Sequence, residues 1–306
     1  MRRGWRQGAF AMLLTASLGC IGSNGEVESL EKELERYPDK GRTAVDLLTR
    51  GILTITFDDG PSEYSHDIIA TMSRLKVPAT FFWVGQRIPG YRAELDFARA
   101  RGQQLASHSY NHEPQPSLSE TVFRARVRAV KENIGDADNG RLYFRFPFGA
   151  AGDPQLNWLA TEDFDGKHYR PVGWHHDSQD FDFDSTYPSP GEFSKNILDD
   201  DHLEDGGVCN GQKNPFQGDM VGWCQFIARK VGGGIMLFHD TKQITRDKIE
   251  AIILGFRDPT SYFASLSPSK REEYTKYYKC QNVDMTQAFG FRALHDGLYP
   301  SFLDKK

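Results

Sequence analysis

From residue 51 to residue 256 the chain alternates between apolar runs of strand length and amphipathic runs of helical period. "ILTITF" (52–57), "ATFFWVG" (79–85), "QLASHS" (104–109), "LYFRFPF" (142–148) and "GIMLFHD" (234–240) are of the first kind. Of the second kind, "HDIIATMSRLK" (66–76) sets Ile68, Ile69, Met72 and Leu75 at helical spacing, and "YRAELDFARARG" (91–102) ends on a glycine. "SLSETVFRARVRAVKENIG" (117–135) opens with a Ser117–Glu120 capping box and closes on Gly135, and "TRDKIEAIILGF" (245–256) follows the last strand. Buried strands separated by helices require a mainly parallel sheet covered by those helices. With this many units in 306 residues, a closed or nearly closed α/β barrel is expected.

Two segments fall outside the alternation. Residues 182–230 hold an insertion rich in Asp, Gly, Pro and Ser, and residues 261–306 form a C-terminal extension dense in aromatics. Tyr274, Tyr277, Tyr278, Phe289, Phe291 and Tyr299 could offer sugars a stacking surface, but packing of the tail against the barrel is the expectation. Cys209 and Cys224 are placed to form a disulfide within the insertion, with Cys280 as an alternative partner.

Residues 1–22 carry a basic head (Arg2, Arg3, Arg6) and a short apolar run from Ala9 to Leu18, the pattern of a secretory signal. They end in "ASLGC", which resembles a lipoprotein cleavage site with Ser17 where such sites carry Leu, so lipidation of Cys20 and membrane attachment through it are expected, with plain signal cleavage nearby as the alternative. Residues 23–50 read as a linker with a short amphipathic helix (26–38). The expected location is therefore outside the cytoplasm, in the periplasm or cell envelope. A net charge of −5 and a pI near 6.0 offer no basic stripe for phosphates, which argues against a nucleic-acid partner.

In parallel α/β proteins functional groups gather at the carboxyl ends of strands. Those ends hold Asp58 and Asp59, His108 and His112, Arg145, Asp177 and Asp180, and His239. A four-residue spacing aims both imidazoles the same way on one helical turn. Joined by a carboxylate from a neighbouring strand end, they make a three-donor set with an open position, the pattern of hydrolytic zinc. If Asp59 binds the cation, Asp58 is free to take a proton from water acidified there. Each piece also has a bland reading. Asp58-Asp59-Gly60-Pro61 alone is a turn sequence, Arg145 alone a surface ion-pair partner, Asp177 a turn cap, and His239 a core histidine. His175 and His176 are adjacent on a strand and point to opposite faces, so they do not form a second metal site. "DFDFD" (180–184) lacks the glycine and later glutamate of a calcium loop.

These residues resemble the NodB-type polysaccharide deacetylases, carbohydrate esterase family 4. "TFDDG" (56–60), "HSYNH" (108–112), "RFPFG" (145–149), "DSQDF" (177–181) and "LFH" (237–239) stand in that family's order, with Phe181 where the family carries Trp. The resemblance covers residues 50–255 and implies a distorted or incomplete (β/α) barrel, with a catalytic domain over 51–260. It implies Asp59, His108 and His112 as ligands of a divalent metal, zinc first and cobalt, nickel or manganese as alternatives. Asp58 would be the general base held by Arg145, and His239 the general acid oriented by Asp180. The backbone N–H of Phe148 would meet the oxyanion, and Leu237 and Phe181 would line the acetyl pocket. The implied activity is hydrolysis of N-acetyl groups on a cell-envelope polysaccharide, peptidoglycan N-acetylglucosamine first. Poly-N-acetylglucosamine, chitin oligomers, O-acetylated xylan and a catalytically silent sugar-binding protein are the alternatives.

Overall fold

The computed structural model describes residues 51–164, 166–183 and 215–294. Strands β1 (Ile52–Asp58), β2 (Ala79–Trp83), β3 (Gln104–Ser107), β4 (Tyr143–Phe144), β5 (Arg170–Pro171), β6 (His176–Asp177) and β7 (Gly234–His239) are hydrogen-bonded in the order β5-β4-β3-β2-β1-β7-β6. Every pairing along that path is parallel. A further short strand, β8 (Gly290–Phe291), pairs with the start of β1. The path is open between β5 and β6, so the sheet is a curled, incomplete barrel.

Helices α1 (Ser65–Arg74), α2 (Arg92–Ala100), α3 (Glu120–Ile134), α4 (Asp153–Thr161), α5 (Asp180–Phe183), α6 (Met220–Val231), α7 (Gln243–Arg257), α8 (Pro259–Ser265) and α9 (Pro268–Cys280) accompany the sheet. Strand parity explains how the sheet is covered. Leu53, Ile55 and Phe57 of β1, Phe81 and Trp83 of β2, and Met236 and Phe238 of β7 join the buried core with Ile68, Ile69 and Met72 of α1 and Ile249, Ile252 and Ile253 of α7. Residues of the other parity, Phe82, Ala106, Tyr143 and Ile235, fill the inside of the curl with Val172 and Leu294. Both faces of β1 are buried: Leu53, Ile55 and Phe57 pack under the helices, while Thr54, Thr56 and Asp58 face the inside of the curl.

The expected elements are present, with four differences. The strand read over 142–148 is only Tyr143–Phe144, because Pro147 opens a short 3-10 turn and Phe148 is left-handed, φ 60°. The capping box does not form: the Ser117 hydroxyl donates to Pro114 O, and the helix starts after Ser119 instead. Within the segment read as an insertion, Met220–Val231 is a helix with Trp223, Cys224 and Phe226 in the core. That location removes the expected Cys209–Cys224 staple. Cys224 is a free, buried thiol, and Cys280 is the disulfide-bonded cysteine, its partner lying outside the described residues.

The aromatic tail packs as expected. Tyr274, Tyr277 and Tyr278 lie against Phe216 and Phe226, and the Tyr274 hydroxyl donates to Asp219. Among the described residues no helix is long and apolar enough to cross a membrane. The signal segment, Cys20, the helix read over 26–38 and Tyr299 lie outside the described residues.

Candidate active site and metal centre

The inward-facing parity that packs the curl ends, strand by strand, in polar groups. Thr56 and Asp58 follow Thr54 along β1, His108 follows Ala106 beyond β3, Arg145 follows Tyr143 beyond β4, and His239 follows Leu237 at the end of β7. Neighbouring parallel strands finish level, so Asp58 stands opposite His239 in the β1–β7 register.

Arg145 is wholly buried and spends its donors on four acceptors. Nη1 donates to Asp58 Oδ1 and to Thr56 Oγ1, both at 2.8 Å, Nη2 to Gly173 O at 2.8 Å, and Nε to Val172 O at 3.3 Å. Its guanidinium also lies 4.1 Å over the Phe82 ring. Asp58 is thus a buried carboxylate compensated by a planar, permanently charged group that only arginine supplies.

Asp59 turns toward the same side through a left-handed backbone, φ 71°. Its Oδ1 lies 3.3 Å from His108 Nε2 and 3.0 Å from His112 Nε2. The expected helical turn is absent here. His108 and His112 sit on a loop bent by positive φ at Ser109 and at His112 itself, and Ser109 Oγ accepts from the His112 N–H. His108 Nδ1 is 2.9 Å from Arg145 O. A carbonyl can only accept, so Nδ1 carries the proton and Nε2 presents a lone pair to Asp59.

Burial opposes charge on Asp59, and positive charge beside it, on imidazolium or on a cation held there, keeps its carboxyl well below the usual carboxylate range. Its buried Oδ1 nevertheless has no hydrogen-bond partner. A carboxylate oxygen and two imidazole nitrogens within 4.8 Å of one another, one lone pair facing an orphaned anion, suit a divalent cation, and zinc by donor type.

Asp180, fully buried on α5, takes the His239 N–H on Oδ2 and faces His239 Nδ1 with Oδ1, both at 2.6 Å. The Thr245 hydroxyl also donates to Oδ2. Burial alone would lower the His239 pKa, but the Asp180 carboxylate, with Asp59 and Asp58 farther off, pushes it up to about 10. Phe181 stands edge-on to the His239 ring at 5.9 Å, and Leu237 is buried one strand repeat before it. Phe148 is 67% exposed, unusual for a phenylalanine, with its ring 4.7 Å from that of His112.

Asp177 accepts from the Gln179 N–H, the capping role open to it from the start. His175 and His176 stay apart from the cluster. His175 accepts from Ile235 N–H, and His176 Nε2 donates to Gly233 O. Burial pushes them down to about 3 and about 4, so both are neutral.

Sequence reasoning passed over Asp240, fully buried directly after His239. Its Oδ2 accepts from Ser65 Oγ at 2.6 Å and Trp83 Nε1 at 2.9 Å, while Oδ1 has no partner. Burial pushes its carboxyl up to about 7. The bonds from Ser65 and Trp83 act against that shift, and the charges of Asp59 and Asp58 add to it. A charged residue ending an apolar strand at the non-catalytic parity was the available signal.

The fold and site define a parallel α/β protein with a two-imidazole, one-carboxylate donor set beside a buried carboxylate–guanidinium pair. Residues 48–163 match the family model described as polysaccharide deacetylase, in agreement with the resemblance of the chain's motifs to the NodB-type polysaccharide deacetylases. It is 27% identical over 114 residues to a peptidoglycan-N-acetylglucosamine deacetylase of Bacillus cereus, covering 37% of this chain and 42% of that one. It is 31% identical over 137 residues to the peptidoglycan-N-acetylglucosamine deacetylase PgdA of Listeria monocytogenes, covering 40% and 28%. The chain therefore spans less than half the length of these curated relatives. Among solved structures, a family 4 carbohydrate esterase from Streptomyces lividans in complex with acetate aligns at 21% identity and TM-score 0.46, over 67% of this chain and 86% of that one.

Proposed function

We propose that the protein is a metal-dependent hydrolase that removes N-acetyl groups from sugars of a cell-envelope polysaccharide, peptidoglycan N-acetylglucosamine first, releasing acetate. The observation that carries this reading is the buried Asp58–Arg145 pair at 2.8 Å beside the Asp59, His108 and His112 cluster. It provides a base kept apart from the metal donors. The relatives named peptidoglycan-N-acetylglucosamine deacetylase support the choice of substrate.

In this reading Asp59, His108 and His112 hold a divalent cation, zinc first and cobalt, nickel or manganese otherwise. When bound, the cation acidifies water and polarises the acetyl carbonyl. Asp58, fixed by Arg145, takes a proton from the attacking water. The Phe148 N–H meets the negative charge that develops on the carbonyl oxygen. Leu237 and Phe181 receive the acetyl methyl. His239, kept protonated by Asp180, gives its proton to the departing nitrogen, leaving a free amine on the sugar and acetate. Export through residues 1–22 and tethering at Cys20 would place the enzyme beside its polymer.

The test is acetate release by the purified protein from peptidoglycan, chitooligosaccharides and acetylated xylan, with and without chelator. Chelator-sensitive release from peptidoglycan, lost in Asp58→Asn, is expected. Release only from xylan would replace the amide by an ester substrate. Bound metal with no release from any polymer would leave a silent sugar-binding protein.

A further inference from the structure

The residue next to the proposed acid has no role in the chemistry above, yet the turn carrying both paired aspartates is built on it. Residue 240 continues β7 with its side chain on the helix-covered face of the sheet, the same face as Trp83 and opposite to Asp58. Its backbone N–H donates to Asp58 O at 3.2 Å, and its carbonyl accepts from Ser62 Oγ. Its carboxylate accepts from Ser65 Oγ, which itself accepts from the Ser62 N–H. The same carboxylate is seated against Gly60: a Cβ there would lie 2.2 Å from Oδ1 and 2.3 Å from Oδ2. Asp58, Gly60, Ser62 and Ser65 are therefore all referred to one side chain and its peptide. Asp59, the left-handed residue, lies between the first two.

An apolar residue would fill this space without the cost of burying a carboxylate. What it could not do is take two donors, one from the turn and one from β2, on a single flat group thin enough to pass under Gly60. We propose that Asp240 is a positioning residue of the metal centre: it clamps the 58–65 turn to β2 and β7 and so fixes the direction in which Asp59 faces His108 and His112. The inference rests on the metal-centre reading of those three residues. Asp240 touches neither metal nor substrate in this scheme and acts through the turn.

Its test is zinc affinity, measured on the full-length protein by competition with a chromophoric chelator, with the visible spectrum of the cobalt-loaded protein as a report of ligand geometry. Asp240→Ala is expected to bind zinc 10- to 100-fold more weakly, the usual range for residues that orient metal ligands, and to show altered cobalt bands. Asp240→Asn keeps an oxygen for Ser65 and Trp83 and is expected to restore most of the affinity. Gly60→Ala, which displaces the carboxylate from the other side, is expected to weaken zinc as well. If Asp240→Ala does not fold, Ser65→Ala and Trp83→Phe each remove one donor and should shift affinity and spectrum in the same direction by less.

A lowered melting temperature with wild-type zinc affinity and an unchanged cobalt spectrum would reduce Asp240 to a buried stabilising group and overturn the proposal. Failure of the wild type to bind zinc or cobalt would overturn the metal-centre reading and this inference with it. Wild-type binding that Asp240→Ala leaves intact overturns this inference alone.

Discussion

Replacing Asp180 by Asn tests whether His239 is set up as a proton donor. The substitution keeps an oxygen facing His239 Nδ1 but removes the charge, and that charge is the largest influence favouring the imidazolium. Raising an imidazole from 6.5 to about 10 corresponds to roughly 5 kcal/mol between the charged ring and its surroundings. Without the charge, burial dominates and His239 should titrate near or below 6.5. In the pH profile of acetate release, loss of the acid forms the high-pH limb. A bound cation draws that limb below 10 in both proteins, so the quantity to read is the difference between them. We expect the variant's limb to lie at least about 2 pH units lower, with kcat reduced more than KM changes.

The same replacement has a consequence for stability. A pKa raised in the folded state adds stability that is fully present below the unfolded value of 6.5 and is lost as pH rises through about 10. Denaturant midpoints of wild type and variant should therefore differ most at pH 6 and converge toward pH 10. A high-pH limb that does not move, together with parallel stability curves, would refute the assignment of His239 as the acid tuned by Asp180.

Three other outcomes follow from the geometry. Arg145→Met leaves Asp58 buried without its cation and should cost about 3–5 kcal/mol in urea unfolding while abolishing activity. Arg145→Lys should not rescue it, because one ammonium cannot serve Asp58, Thr56, Val172 and Gly173 together. Zinc at 100 times its Kd should stabilise the wild type by about 2.7 kcal/mol in calorimetry and leave Asp59→Asn unaffected; equal stabilisation of both would move the metal elsewhere. Leu294→Ala, a large-to-small change inside the curl, should cost about 2–5 kcal/mol with kcat/KM unchanged, read by thermal unfolding and acetate release.

Strands β1–β4 and β7 and helices α1–α3 and α7 were legible because strand parity and the 3.6 period are written locally, whereas the two-residue strands β5, β6 and β8 and helices α4, α8 and α9 were not. The same parity carried the site: Asp58, His108, Arg145 and His239 are inward residues at strand ends, and their convergence follows once the sheet is parallel. What was not legible depends on contacts distant in sequence. The His108–His112 pair is aimed by left-handed Ser109 and His112, where no glycine marks the positive φ in the sequence. Helix α6 is hidden in a segment rich in Asp, Gly and Pro, so the sequence suggests an insertion disulfide for Cys224 although it faces the core as a free thiol. Asp240 escaped notice because its partners, Ser65 and Trp83, lie about 175 and 157 residues away.

Strand β1 pairs with β7 along its length, and with β8 at its start through Gly290 and Phe291. The Thr56 hydroxyl, for instance, reaches Met236 O across 180 residues. The first strand among the described residues is thus among the last to acquire both neighbours, because β7 and β8 lie far downstream. Until residue 291 has been made, β1 carries unpaired peptide groups and bare apolar flanks, a state that holdase chaperones recognise. Topology of this kind folds slowly.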